Sequence, residues 1–474
     1  MQIMIIAIFI LMASVPPVWL LSPCWIVVSA WVYPLWVMGF SRLHTRVALG
    51  RSGKGVRLLG MWAKAQLVLG FGVLCAVGWM MLIRGLPLGR GNHVDQSRLL
   101  TLLLAIGPVI LAMIGYWALQ YDRVLQIRKD FNHARNAVGL GPLVLWSRRG
   151  FLAWQLRSGL LFVLLPLLAI QLGGDLVTLA THPWAKHRWQ WEILTGATAV
   201  MIFGVFLIAP RILVWVAGAK KMGKTPIRIQ LETLAKELGI RYRTIRIWPS
   251  GQAVANAAVM GIVGRLRYIL ISDSLLQQFT PPQIRAVFGH ELGHVRRHHI
   301  PYLMLCLISL MLWASLVTDG VWWVCVQIAA GDSLPIRVRS ILAIKEALSI
   351  LIMVGFLVVV LGRLSRLFER QADMDGAYCA SHPDGVDLED DSISSEGISV
   401  FSEALEHLAW ANAVPLDRHE FRHGSLGSRI DYLVKQSHHP HSLSQLTRRV
   451  RWVKRWILLS LVGGATVGGL VWMR

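Results

Sequence analysis

The chain has 474 residues, of which 55% are hydrophobic and only 16% charged, and it carries a formal net charge of +22. A soluble globular chain carries roughly 25% charged residues, so this composition speaks against an ordinary soluble protein. Lys and Arg sit mainly between apolar spans, where positive charge sets membrane topology, and that placement argues against a nucleic-acid partner. The 21 Trp suit the membrane–water interface.

A run of about 20 apolar residues crosses the hydrocarbon core as a helix, because lipid offers no partner to free backbone groups. Nine candidate spans follow in chain order: 3–21, 24–40, 58–83, 99–119, 159–180, 193–217, 301–328, 341–362 and 453–473. The first lacks a basic flank and a small-residue cleavage site, so it reads as a retained span rather than a cleaved signal peptide. Pro16, Pro17 and Pro34 interrupt the first pair, which could equally be a tight hairpin or a re-entrant pair. The five cysteines (Cys24, Cys75, Cys306, Cys325 and Cys379) form no C-x-x-C pair and lie mostly in spans. They read as small buried hydrophobes rather than a disulfide framework or a metal cage.

Loop charge orients the chain. The 41–57 loop holds Arg42, Arg46, Arg51, Lys54 and Arg57, the 120–158 loop holds seven Lys or Arg, and 218–300 opens on Lys220, Lys221 and Lys224. Loops 84–98 and 181–192 are shorter and less basic. The positive-inside rule places the basic set in the cytoplasm. The expected organisation is an N-terminal transmembrane region of about six spans (1–217), a first polar segment (218–300), a transmembrane hairpin (301–362), a second polar segment (363–452) and a C-terminal span (453–474).

In the first polar segment, 227–238 has helical apolar spacing and ends at Gly239. Strands are expected at 242–248, 253–259 and 268–272. Pro281 and Pro282 open a helix carrying Ile284, Val287 and Phe288. The acidic stretch 384–396 reads as a solvated loop, and His438, His439 and His441 as part of an exposed one.

That helix continues into His290-Glu291-Leu292-Gly293-His294, an H-E-x-x-H motif. Positions i and i+4 share a helix face, so both imidazoles can reach one metal ion. Zinc suits imidazole nitrogen, and Glu291 would serve as general base toward water. A third protein ligand is needed. Beyond the hairpin, Glu369 and Asp373 are also i and i+4. Glu369 can complete a two-His, one-Glu set, and Asp373 can hold the far ring nitrogen of a ligand histidine. Alone, such a pair is usually a solvated helix face.

These residues resemble the membrane gluzincin family that includes the HtpX-type proteases and the type I CAAX prenyl endopeptidases. The likeness covers about 227–434 and rests on HELGH, a later E-x-x-A-D and two spans between them. It implies one Zn2+ per chain on His290, His294 and Glu369, with Glu291 as base. Family members carry N-A-x-x-x-G before the motif, matched by Asn256, Ala257 and Gly261, on a strand that lines the cleft. An edge strand can take an extended peptide as a further strand. Taken alone, Asn256 is as readily a turn residue. The family's H-P-P-x-x-x-R-(I/L) is matched at His423 and Arg429 in spacing, without its prolines. By resemblance these two would contact substrate or stabilise the oxyanion. Alone, His423 is a surface residue of a His-rich stretch. His298 and His299 read as a polar helix end at the membrane surface.

The expected protein is mainly α: a polytopic α-helical membrane protein with a small split α+β gluzincin-type metalloprotease domain. It would be a zinc metalloendopeptidase of a bacterial inner membrane, with the domain facing the cytoplasm and the lipid bilayer and a peptide or membrane-protein substrate as partners. Its six early spans bring the plan nearer to the prenyl-protein proteases, an analogy that does not settle substrate. A sensor protease that cleaves a regulator, and a non-catalytic scaffold, are the rival readings.

Overall fold

The computed structural model describes residues 22–48, 54–76, 98–137, 141–184, 189–330, 355–386, 392–420, 423–437 and 442–472, with Trp79, Leu82, Ile83 and Gly139 besides. They form two compact units, Met1–Ala217 and Gly218–Arg474.

The first unit is helical. It contains α1 (Pro23–Ala48), α2 (Lys54–Ala76) and α3 (Arg98–Ala137). Next comes α4 (Arg148–Trp154), which runs through a π-helical stretch, Gln155–Leu161, into α5 (Phe162–Thr181); α6 (Gln190–Val216) closes the unit. Ile26, Leu67, Phe71, Met113 and Trp117 fill its core. The Tyr33 hydroxyl ties α1 to α2 by donating to the Leu67 carbonyl at 2.7 Å. Outward-facing apolar side chains are fully presented, with Trp215 78% and Val200 73% exposed. In water such a surface would be a liability, whereas against hydrocarbon it costs nothing. The α3 helix runs past its apolar stretch because its polar turns find partners. Gln120, for example, donates to Ser41 Oγ at 3.0 Å.

The second unit combines a small sheet with helices. Its elements are β1 (Lys220–Lys221), α7 (Pro226–Glu237), β2 (Thr244–Trp248), β3 (Ala257–Met260), β4 (Tyr268–Ser272), α8 (Asp273–Gln278), α9 (Pro281–Arg296), α10 (His299–Ala330), α11 (Gly362–Ser381), α12 (Ser395–Asn412), α13 (Leu426–Gln436) and α14 (Ser442–Trp472). The strand order is β1-β2-β4-β3, with β2 and β4 parallel and the outer pairings antiparallel. Every residue of β4 is buried, as expected of a strand covered on both faces. The β3 strand ends the sheet and has one ladder partner. Its regular pairing starts at Ala257 rather than at 253, because the preceding backbone bonds to side chains. Ser250 N and Gln252 N donate to the Asp273 carboxylate, and Ala255 N donates to Asn412 Oδ1.

Local signals set the helix ends. Thr225 caps α7 with Pro226 at its first position, and Gly239 closes it at φ +67°. Thr280 and Gln283 form a reciprocal capping box on α9. The α9 and α11 helices approach closely at glycines. A Cβ at Gly289 would lie 2.6 Å from Cys379 Cβ, and one at Gly293 would lie 2.9 Å from Asp375 Cβ. The bidentate pair of Arg297 with Asp375, at 2.7 and 3.0 Å, fastens the same crossing. Phe288, Phe368 and Phe401 pack around it.

Seven helices among the described residues are long and apolar enough to cross a membrane, and they coincide with seven of the expected spans. This is a mainly α, multi-pass membrane protein with a small α+β portion interrupted in sequence by the apolar helix α10. The candidate span 3–21 lies outside the described residues, as do most of 341–362, positions 387–391 of the acidic stretch, and His438, His439 and His441.

Candidate metal centre

The α9 helix supplies His290, Glu291 and His294, and α11 supplies Glu369 and Asp373. The crossing at Gly289 and Gly293 brings the two faces together. His290 Nε2 lies 3.2 Å from His294 Nε2 and 3.7 Å from Glu369 Oε2, and His294 Nε2 lies 3.6 Å from Glu369 Oε1. Ligands about 2.0–2.2 Å from a tetrahedral ion sit about 3.3 Å apart, so the two imidazole nitrogens and the Glu369 carboxylate stand at the spacing expected of groups around one ion. Glu369 Oε2 is buried and takes no hydrogen bond, a costly state for an ionised oxygen unless a cation compensates it. The His, His, Glu donor set suits zinc. Among the described residues these three form the candidate metal-binding group.

The surrounding polar groups fix each imidazole. Asp373, fully buried, sets Oδ1 2.9 Å from His290 Nδ1. Arg429, in the first turn of α13 behind the Ser425 cap, grips Asp373 through Nε at 2.9 Å and Nη2 at 2.5 Å. Burial would raise the Asp373 carboxyl, but Arg429 and then His290 override it and hold it below the usual carboxylate range. Burial would likewise raise Glu369, yet His423, His290 and His294 pull it far down. His290 is lowered by burial but raised overall by Asp373. His294 drops to about 3, through burial and then the neighbouring His290. Burial pushes Glu291 up, His290 opposing and Glu369 adding to the shift.

His299 departs from the sequence reading. It is fully buried, stacked on Phe368 at 4.3 Å between ring centroids and 6° between planes. Its Nδ1 lies 2.9 Å from His294 Nδ1, its Nε2 lies 3.0 Å from Gln371 Oε1, and Gln371 Nε2 donates to Thr447 Oγ1 at 3.2 Å. A short turn at Arg297 and His298, the latter at φ +55°, folds the start of α10 back over the end of α9. The signal available in sequence was the tight spacing of His294 and His299. Gln371, which meets His299, and Thr447, which meets Gln371, are distant in the chain.

A cleft of about 310 Å³ opens on this centre, lined among others by Asn256, Glu291, Phe401, His423 and Arg429. Asn256 is exposed, and its backbone is fastened to Ser272 by two bonds of 2.9 Å. His423 stands at the opening, with Nδ1 2.9 Å from Glu369 Oε1. Arg429 is engaged with Asp373, with Nη1 3.9 Å from Glu369 Oε2. Asn412, unremarked in the sequence, takes both backbone groups of Ala255 at 3.0 and 2.8 Å and so fixes the strand entering β3.

Residues 224–391 match the model of Peptidase family M48. The chain is 30% identical over 156 residues to Protease HtpX of Pseudomonas putida (strain GB-1), covering 32% of this chain and 50% of that protein. It is 37% identical over 65 residues to Protease HtpX of Stutzerimonas stutzeri (strain A1501), 14% of this chain and 22% of that one. The chain thus spans about half the length or less of these curated relatives. The crystal structure of S. mikatae Ste24p matches with a TM-score of 0.48 and 14% identity, covering 86% of this chain and 99% of that one.

Proposed function

We propose that the chain, whose residues 224–391 match the model of Peptidase family M48, is a zinc-dependent endopeptidase built into the membrane, with Glu291 as its general base. One observation carries this reading: the Nε2 atoms of His290 and His294 lie 3.2 Å apart and each lies within 3.7 Å of a Glu369 carboxylate oxygen, beside a cleft lined by His290, Glu291 and Glu369.

One Zn2+ would be held by His290, His294 and Glu369. When bound, the ion supplies Lewis acidity and brings the pKa of water towards about 7. Glu291 accepts the proton of the attacking water and returns it to the departing amine. A carboxyl raised by burial suits that exchange near neutrality. Asp373 holds His290 through Nδ1, and Arg429 keeps Asp373 ionised. With Nε2 of His294 turned to the metal, its hydrogen sits on Nδ1 and is donated to His299 Nδ1. His299 Nε2 then donates to Gln371 Oε1, and Gln371 to Thr447. This one-way chain fixes the tautomer of His294.

At the mouth of the cleft, the edge strand beside Asn256 would align an extended peptide by β-addition. His423 would donate to the developing oxyanion. Arg429, whose head is occupied by Asp373, contributes its charge rather than a direct contact. The substrates we propose are membrane-associated or misfolded proteins. The basic loops support placing the centre on the cytoplasmic side of a bacterial inner membrane.

The test is the cleavage pattern of the purified full chain against membrane proteins and farnesylated peptides, with and without a chelator. Chelator-sensitive cleavage of membrane proteins supports the reading. Cleavage confined to farnesylated peptides reassigns the substrate, and cleavage unaffected by chelation removes the metal from the mechanism.

A further inference from the structure

On another face of the second unit, α10, α11 and α14 bound a groove of about 460 Å³. Its floor is apolar, with Leu364, Val453 and Ile457. Its rim is basic, with Arg363, Arg366, Arg370 and Arg449, and among the described residues no carboxylate lines it. The groove sits where apolar spans turn polar. The π-helical run Leu357–Leu361 gives way to Arg363 at the head of α11. On α14, Arg448, Arg449 and Arg451 precede the apolar turns from Ile457 onward.

Arg363 and Arg370 make long local contacts. Arg363 Nη1 is 3.4 Å from the Val359 carbonyl, and the Arg370 guanidinium lies 4.9 Å over the ring of Tyr432. Arg363, Arg370 and Arg449 are exposed. A guanidinium presents a planar fork that matches phosphate oxygens. Basic pockets between membrane helices bind acidic headgroups. A rim that recognises phosphate, above a floor that recognises hydrocarbon, describes both ends of one molecule.

We propose that this groove binds an anionic phospholipid, its phosphate held by Arg363, Arg370 and Arg449 and its first methylenes laid on Leu364, Val453 and Ile457. The occupant would brace the turn of α11 that leads into Glu369, since Arg366 and Arg370 flank that residue.

The test uses the full chain in detergent, offered equal amounts of phosphatidylglycerol and phosphatidylcholine, with retained lipid counted by native mass spectrometry. The natural chain should retain phosphatidylglycerol preferentially. The variant Arg363→Gln/Arg370→Gln/Arg449→Gln should lose that preference by roughly fivefold per arginine removed. Arg448→Gln/Arg451→Gln/Arg455→Gln removes the same charge from α14 outside the groove and should keep it. Arg363→Lys/Arg370→Lys/Arg449→Lys keeps the charge and should regain most of it. If the triple Gln variant does not fold, Arg449→Gln alone carries the test with a smaller loss. Equal losses in the two Gln triples, no loss in the groove triple, or displacement of the lipid by glycerol phosphate in solution would overturn the proposal.

Discussion

Replacing His299 with Leu tests the least anticipated part of the site. Leucine is of similar size and keeps the contact with Phe368, so the change removes chemistry more than volume. It deletes the partner of His294 Nδ1 at 2.9 Å and the partner of Gln371 Oε1 at 3.0 Å. Each buried group left unpaired costs about 1–3 kcal/mol. Part of that cost falls on stability and part on the metal, because His294 no longer holds one tautomer. Loss of a group that orients a metal ligand typically weakens binding 10- to 100-fold, or about 1.4–2.7 kcal/mol. The assay is zinc competition against a chromophoric chelator on purified protein, with the thermal midpoint measured alongside. His299→Asn, whose amide oxygen can accept from His294, should recover part of the affinity. A folded His299→Leu protein that binds zinc within twofold of the natural chain would refute the reasoning.

Other outcomes follow from the same geometry. Arg429→Met strands the buried Asp373 carboxylate and should cost about 3–5 kcal/mol, read as a lowered thermal midpoint. Asp373 has a folded pKa held below its unfolded value of about 3.9, so it adds stability above that value and loses it as pH falls through the folded one. The urea midpoint of the metal-free protein should therefore drop below about pH 4, and Arg429→Met should flatten that slope. Gly289→Ala drives a Cβ to 2.6 Å from Cys379 Cβ. It should cost about 1–3 kcal/mol, with Cys379→Gly in the same chain restoring much of it in urea titrations. The Cys379 thiol, pushed up to about 12 by burial and then Asp375, should resist alkylation in the folded protein and react once it is unfolded.

How much was legible in sequence followed how local the signal was. Helical spacing placed His290 with His294 and Glu369 with Asp373, because an i, i+4 pair shares a face whatever surrounds it. Apolar length placed the spans for a similar reason. The 227–238 helix was legible from its periodicity and Gly239, and it forms at Pro226–Glu237. What sequence could not supply was contact between distant turns. His299 reads as a polar helix end because nothing nearby shows that Phe368 and Gln371 close over it. Arg429 was matched by spacing alone, and only the packing of α13 reveals that its guanidinium is committed to Asp373. The two-residue β1, formed by Lys220 and Lys221, has no strand pattern and exists through its pairing with β2. The β3 strand starts later than its apolar pattern suggests because side-chain bonds from Asp273 and Asn412 replace the ladder there.

Cleavage of peptides at this centre is expected to depend on zinc and Glu291. That dependence is tested most directly by Glu291→Gln, with zinc content and cleavage of a membrane protein measured on one preparation of each chain. One zinc per chain in both proteins, with cleavage in the natural chain alone, is the expected result. Equal cleavage by the two, or cleavage by a chain that binds no zinc, would contradict it.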